Sequence, residues 1–439
     1  MPSATRRTFL KQTSAQAVLG SALALGGVQT ARSANNGVVR LGLIGCGGIM
    51  HFHLEGLLAR KEGIAIKWLC DVDPRHLESA VRQMNASQAP AARTTARFED
   101  VLEDDDVDAC IIGTPHHWHA PIAIRAMQAG KDVYIEKPMS HVYNEGPLLI
   151  AAAKKYGRVV QQGSQMRNSP VTLKAEGLLK SGIIGEIKVA RTWTAETREE
   201  FKAAPDSAPP EGVDYDRWLG PAPLRPFNER RFHGSWRMFR DYGNGEIGDD
   251  GIHDLDMAAW GLDVAGLPAK ITARGGRMMA FANCSEYPDN MHVAFEYPDG
   301  RLLLYENYSF TAYGLHGFDN GNAFYGTDGF MIFSRRGAFN VYLGPKAERG
   351  PTEGKELRGQ QGYVEHMDEF LRGVRERTPT KASAETAHRS CALVHLGEIA
   401  FRVGQTLRFD PAAERFVDCP EADALLDKAY RDPWKMPAV

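Results

Sequence analysis

Little in this 439-residue chain points to a nucleic-acid partner, a disulfide scaffold or a membrane span. The formal net charge is −3 and no basic stripe runs along it, so nothing matches a phosphate backbone. The six cysteines (Cys46, Cys70, Cys110, Cys284, Cys391 and Cys419) fall at no paired spacing. That argues against a disulfide framework and a cysteine zinc site. There is no internal repeat and no low-complexity tract. One mild apolar run, Ala15 to Val28, is too short and too rich in Gly and Ala to span a bilayer. What is there, 43% hydrophobic and 24% charged residues, suits two or three globular domains with ample core.

The N-terminus differs in kind from the rest. Thr5-Arg6-Arg7-Thr8-Phe9-Leu10-Lys11 is a twin-arginine pattern ahead of that apolar run, and Ala31-Arg32-Ser33 offers a small-x-small cleavage site. Residues 1–34 therefore read as an export signal for a protein that crosses the membrane folded. The expected location is periplasmic or secreted; the plain alternative is a disordered basic tail.

Val38 to Asp73 organises the remainder of the chain. An apolar strand, Val39 to Ile44, runs into Gly45-Cys46-Gly47-Gly48, then a helical pattern, then a second apolar strand, Ile64 to Cys70, tipped by Asp71. Glycines here let the backbone turn sharply and let a pyrophosphate approach the amides of the helix start (Gly48, Ile49, Met50). Asp71 sits where a carboxylate accepts hydrogen bonds from an adenosine ribose, and it would repel a 2′-phosphate, which favours NAD over NADP. The third fingerprint position is Met50, neither Gly nor Ala, so the pattern is incomplete.

Strands and helices then alternate up to Gln162: helices over Pro74–Met84, Phe98–Leu102, Ala120–Ala129 and Glu145–Tyr156; strands over Val107–Ile112, Asp132–Ile135 and Arg158–Gln162. Near-continuous apolar strands imply a parallel sheet covered on both faces, a doubly wound α/β domain over residues 35–162. After a helix at Val171–Lys180 the rhythm changes. A strand at Ile187–Glu196 precedes a Pro-, Gly-, Trp- and Arg-rich stretch, 200–245, expected as a long ordered loop. Two-period strands come next at Lys270–Ala280, Met291–Tyr297, Arg301–Ser309 and Gly329–Phe333, with a Pro298-Asp299-Gly300 turn. Helices at Tyr363–Arg375 and Ala384–Arg402 close an α+β domain, 163–439, with an open, largely antiparallel sheet.

Three constellations carry candidate chemistry. Glu136-Lys137-Pro138 follows a strand end, at the sheet edge where doubly wound folds bind ligands. A lysine there can position or share a substrate hydroxyl proton; otherwise it is an ordinary surface lysine. Asp249, His253, Asp256 and Trp260 fall on one stripe of an α-helix at about 100° per residue. His253 suits proton uptake with Asp249 or Asp256 orienting it; a solvated polar face or a divalent metal site are the alternatives. Thr114-Pro115-His116-His117-Trp118-His119 follows another strand end. Such close histidines on a turn do not converge easily on one ion, so Thr114, Pro115, His116 and His119 read as cofactor lining. Trp236 offers a face for a sugar ring, although aromatics of this kind are more often core.

Taken in order, the Gly45-x-Gly47 loop, Asp71, Thr114-Pro115 with His119, Glu136-Lys137-Pro138 and Asp249-x-x-x-His253 resemble the Gfo/Idh/MocA oxidoreductases. The twin-arginine start, Gln162 to Arg167, Trp236 to Gly245 and Tyr430-Arg431-Asp432-Pro433-Trp434 resemble a secreted subgroup. The resemblance implies a Rossmann domain and an α+β domain whose sheet often mediates dimer or tetramer contacts. It implies hydride transfer between a sugar-type secondary alcohol and a nicotinamide, with Lys137 and His253 flanking the reacting carbon and Asp249 supporting them. Gln165 is then expected at the cofactor, Arg167 and Trp236 at the substrate, and no metal is expected. A glycosidase or lyase that oxidises its sugar transiently, and a non-catalytic NAD-bound sugar sensor, are the competing readings.

Overall fold

The computed structural model describes residues 37–439 apart from 61, 199–201, 280–283 and 355–360. The twin-arginine stretch, residues 1–34, lies outside the described residues. Among those described, no helix is long and apolar enough to cross a membrane.

The first half alternates strand and helix: β1 (Val39–Ile44), α1 (Gly48–Leu58), β2 (Ile64–Cys70), α2 (Pro74–Ala86), β3 (Arg93–Thr95), α3 (Phe98–Glu103), β4 (Ala109–Ile112), α4 (His116–Gln128), β5 (Asp132–Ile135), α5 (Glu145–Tyr156) and β6 (Val160–Gln162). All six strands pair parallel in the order β3-β2-β1-β4-β5-β6. The order reverses between β1 and β4, and a crevice opens at the carboxyl ends there. Gly45 and Gly113 meet at that point. A Cβ on Gly45, whose φ is +85°, would stand 2.8 Å from the Gly113 carbonyl carbon, so only glycine fits.

The second half comprises α6 (Pro170–Lys180), β7 (Ile187–Ala195), α7 (Tyr215–Leu219), α8 (Ile252–Gly261), β8 (Lys270–Gly276), β9 (Asn290–Glu296), β10 (Leu302–Tyr308), β11 (Asn320–Gly326), β12 (Gly329–Ser334), β13 (Ala338–Leu343), β14 (Glu348–Glu353), α9 (Tyr363–Glu376), α10 (Ala384–Val403), β15 (Leu407–Asp410), β16 (Arg415–Val417) and α11 (Pro420–Ala424). The sheet runs β14-β13-β12-β11-β7-β10-β9-β8-β15-β16. Only β7 and β10 pair parallel; its other pairs are antiparallel. The Pro298–Gly300 turn does join β9 to β10, with the Gly300 amide donating to the Tyr297 carbonyl.

Six strands (β3, β11, β13, β14, β15 and β16) have no counterpart in the pattern reading. Strand β11 reads as turn-like because of its Asn and Gly residues. The sheet needs that glycine: a Cβ on Gly321 would meet the Phe333 carbonyl at 2.5 Å and the Trp193 ring at 3.0 Å. Edge strand β14 carries Pro351, which an edge tolerates.

Packing does not respect the topological division. Helix α9 follows β14 of the second sheet in sequence, yet Met367, Phe370, Leu371 and Val374 share one hydrophobic cluster with Val39, Leu41, Leu43 and Tyr134. It covers a face of the parallel sheet. The Pro- and Trp-rich stretch is ordered by its own small core of Trp218, Phe227, Phe232, Trp236, Phe239 and Tyr242.

Buried histidines are frequent. Burial holds His117, His253 and His395 down to about 3, and His366 and His388 to about 4. Their folded values lie below the ordinary 6.5, so at lower pH the unfolded chain takes up protons that the folded chain refuses. Each such histidine costs about 1.4 kcal/mol per pH unit below 6.5, levelling only near its folded value. The melting temperature is therefore expected to fall by at least about 5 °C between pH 7 and pH 5. Thermal melts across that range check it, and a flat profile would contradict it.

Candidate functional site

Helix α1 begins with no side-chain cap at Gly47 and no acid in its first turn, so its amide dipoles face the crevice unneutralised. Nothing lies within 4 Å of where a Cβ on Gly48 would stand. Together these make an anion seat for a pyrophosphate. Met50 is not part of the wall. Its side chain is buried, with its methyl 3.2 Å from where a Cβ on Gly113 would be. A bulky third fingerprint residue is accommodated because Gly113 opposite has none.

Asp71 stands at the tip of β2 as expected. Its Oδ2 accepts from the Cys46 amide at 2.7 Å and lies 3.1 Å from His76 Nδ1; its Oδ1 accepts from the Asp73 amide at 2.8 Å. The acid that would take a ribose is thus also wired to the glycine loop.

Helix α4 starts at His116, four residues ahead of the predicted Ala120, and its histidines point three ways. The His119 ring lies between the Pro138 and Thr114 carbonyls at 2.7 and 2.8 Å. His117 turns away to the Trp218 carbonyl at 3.0 Å. His116 faces the cleft, 3.1 Å from Asn244 Oδ1 and edge-on to Trp236 at 4.7 Å. Thr114 Oγ1 is buried at the cleft wall without a protein partner, free for a ligand.

At the end of β5, Glu136 accepts from His53 Nε2 at 2.6 Å. Burial pushes its carboxyl up, but the His53 bond and charge outweigh this and leave it at about 2. Lys137 Nζ donates to Asp249 Oδ1 at 2.8 Å and to the Asp249 carbonyl at 2.6 Å. Arg237 Nε takes the same Oδ1 at 3.0 Å. Against burial, these two cations hold Asp249 well below the usual carboxylate range.

The single α-helical stripe needs correction. Ile247–Gly251 is a turn of π-helix, and α-geometry begins at Ile252. The wider turn presents both the carbonyl and the carboxylate of Asp249 to Lys137. His253, one turn on, is buried and neutral. Burial, with the Lys137 and Arg335 charges, sets its value near 3. Asp256 does not orient it: both its oxygens hold Arg167 (2.7 and 2.8 Å), and Ser390 Oγ donates to it. Trp260 lies 4.8 Å from the Arg167 guanidinium.

The cleft encloses about 300 Å³ and runs from Asp71 to Lys137. Its walls bring together Gly45, Gly47, Gly48, Ile49, Asp71, Thr114, Pro115, His116, His119, Glu136, Lys137, Trp236 and Asp249. Met50, Gln165, Arg167 and His253 are not on them. Arg167, expected at the substrate, instead lines a separate cavity of about 120 Å³ with Trp260 and Arg389. Sequence reasoning missed His76, Arg217, His233 and Arg237, wall residues with no motif spacing to announce them.

An anion seat at a helix start, a ribose carboxylate and an ammonium strung along one parallel-sheet edge define a nicotinamide-nucleotide oxidoreductase. Residues 39–164 match the oxidoreductase family's NAD-binding Rossmann fold; residues 180–304 and 341–436 match its C-terminal alpha/beta domain. The chain belongs to the Gfo/Idh/MocA family. It is 30% identical over 154 residues to an alpha-N-acetylgalactosaminidase of Shewanella oneidensis, covering 34% of this chain and 33% of that protein. Among solved structures, the aldose-aldose oxidoreductase from Caulobacter crescentus complexed with glycerol superposes with a TM-score of 0.64 at 19% identity, over 84% of this chain and 99% of that one. Levoglucosan dehydrogenase in complex with NADH and levoglucosan gives 0.63 at 20%, over 87% and 100%.

The residues present fit NAD. The open Gly48, the unpartnered Thr114 hydroxyl and the carboxylate at the tip of β2 lie along the course a dinucleotide takes. Removing a charge-assisted bond costs about 1.5–3 kcal/mol. Asp71→Ala is expected to weaken NAD binding about 10- to 100-fold in calorimetric titration, and unchanged affinity would remove Asp71 from the ribose.

Proposed function

We propose that the enzyme moves a hydride between a secondary hydroxyl of a sugar, cyclitol or glycoside and a tightly held NAD. The observation that carries this is Lys137, pinned by Asp249 at the nicotinamide end of a cleft walled by Trp236 and His116. NAD supplies the hydride acceptor. Lys137, donating to Asp249, is an ammonium that stabilises negative charge on the substrate oxygen. His253, neutral beside it, receives the hydroxyl proton. Burial and the neighbouring cations keep that imidazole neutral and so able to accept a proton.

Tight retention of the cofactor is supported by the strap over residues 214–237, tied to the nucleotide domain at several points. The Asp214 amide donates to the Val72 carbonyl (3.0 Å), Arg217 pairs with Glu99 (2.9 Å), Trp118 Nε1 donates to the Arg217 carbonyl (3.0 Å) and His233 meets Asp73 (2.8 Å). Gly45 to Glu136, with Lys137, form the cofactor half of the proposed site; Lys137, Trp236, Asp249 and His253 form the substrate half. Export through the twin-arginine signal, into a compartment without an NAD pool, agrees with such retention. Homodimer or homotetramer formation through the open sheet is part of the same proposal, supported by half-buried Tyr325, Phe330 and Tyr342 stacked on it.

The Shewanella relative's name favours one second reading, an NAD-dependent glycosidase that oxidises the sugar, eliminates the aglycone and returns the hydride. The two separate by net redox change. A dehydrogenase leaves an oxidised sugar and reduced NAD or a reduced co-substrate; a glycosidase leaves a free sugar and aglycone at constant NAD.

Lys137→Ala and His253→Ala are each expected to lower turnover at least about 10²-fold while NAD stays bound. Full activity in either variant would cancel that residue's role. Protein purified without added cofactor is expected to release close to one NAD per chain on denaturation, measured by mass spectrometry, and to reduce it when given the right glycoside. Purification free of NAD would refute the retention.

A further inference from the structure

Away from Lys137 and His253, one group of three metal-ligating side chains comes together among the described residues: Asp73, His76 and His233. One ligand atom from each lies within 4.8 Å of the other two. Distant parts of the chain supply them. Asp73 caps helix α2, accepting the Arg75 amide at 2.9 Å, and His76 lies in that helix's first turn. His233 arrives on the strap, with its ring 4.2 Å from that of His76 and its Nε2 2.8 Å from Asp73 Oδ2.

We propose that Asp73, His76 and His233 bind a first-row divalent transition metal such as Zn2+, which fastens the strap over the adenosine end of the cleft. Three features support it. Asp73 is wholly buried, and among the described residues its charge is met only by Arg75 and the two imidazoles. Its Oδ1 receives the Arg75 amide and Nε, while Oδ2 meets His233 and the Nε and Nη2 of a half-exposed guanidinium that can swing aside. A metal ion would replace the proton that Asp73 Oδ2 and His233 Nε2 share. Finally, His76 Nδ1 faces Asp71 Oδ2 at 3.1 Å, the carboxylate–histidine pairing that supports metal-ligating imidazoles and leaves Nε2 with its lone pair. Two imidazoles and one carboxylate with an open fourth position suit zinc, cobalt or nickel; calcium and magnesium want more oxygen donors. The ion's role is structural, and its binding does not depend on the hydride-transfer reading.

The test uses the protein as purified, with its own cofactor, dialysed against a chelator and titrated calorimetrically with zinc chloride. Wild type is expected to take up one ion per chain and release a proton. His76→Ala and His233→Ala should each weaken binding more than the roughly 10- to 100-fold that loss of a supporting carboxylate costs. Arg75→Ala, which frees Asp73 Oδ2, should tighten it. Co2+ added in place of zinc should give the visible absorption of a four-coordinate site in wild type and lose it in the two histidine variants, while matching metal-free melting curves show that those variants fold. No binding by wild type at millimolar zinc, or equal binding by wild type and both histidine variants, overturns the proposal whatever the enzyme's activity.

Discussion

Lys137 meeting Asp249 is the contact on which the rest of the site depends. The lysine ends β5 in one sheet; the aspartate lies in the π turn that leads into α8, the helix packed on the other sheet. Buried ion pairs repay their desolvation only when the remaining donors and acceptors are also satisfied. Here Nζ donates to the Asp249 carbonyl as well as to its carboxylate, and Arg237 holds the same oxygen from the strap. One interaction therefore ties the two sheets together at the cleft.

The charge around that pair is graded. Arg198 holds Glu246 and Asp250 at 2.9 Å each, and Arg335 holds Asp250 at 2.9 Å. Behind them burial pushes the Glu246 and Asp254 carboxyls up, against the Arg198 and Arg335 charges. Asp249 and Asp250, nearest the cations, stay ionised. Arginines already committed to carboxylates leave little to attract an anionic substrate.

Much of this was legible in the residue order. The parallel sheet announced itself because doubly covered strands are continuous apolar runs, and Gly45, Asp71, Thr114 and Lys137 fall at strand ends where the topology puts ligands. What was hidden had physical reasons. Strand β11 looks like a turn because the sheet needs glycine against Trp193. The π turn has no signature in residue type, so Asp249 and Asp256 appeared on one α-helical stripe, although one holds Lys137 and the other Arg167. Helix α9 gives no sign that its apolar face belongs to the first sheet. The wall residues of the strap reach the cleft through tertiary packing alone, and no local pattern encodes that.

The misreading of Arg167 explains how the site is held. Helix α8 is fixed at its middle by Arg167 and Ser390 gripping Asp256, with Trp260, near its far end, against the guanidinium. Its near end, the π turn, carries Asp249 to Lys137. Helix α10 supplies Ser390 and packs in the core that the two sheets share. A residue expected at the substrate is thus one of the bolts that hold α8. Because Asp256 is buried and both its oxygens are occupied, the helix cannot slide or roll without stranding a charge, and an uncompensated buried charge costs several kcal/mol. That penalty holds the helix in register with the π turn that carries Asp249 to Lys137.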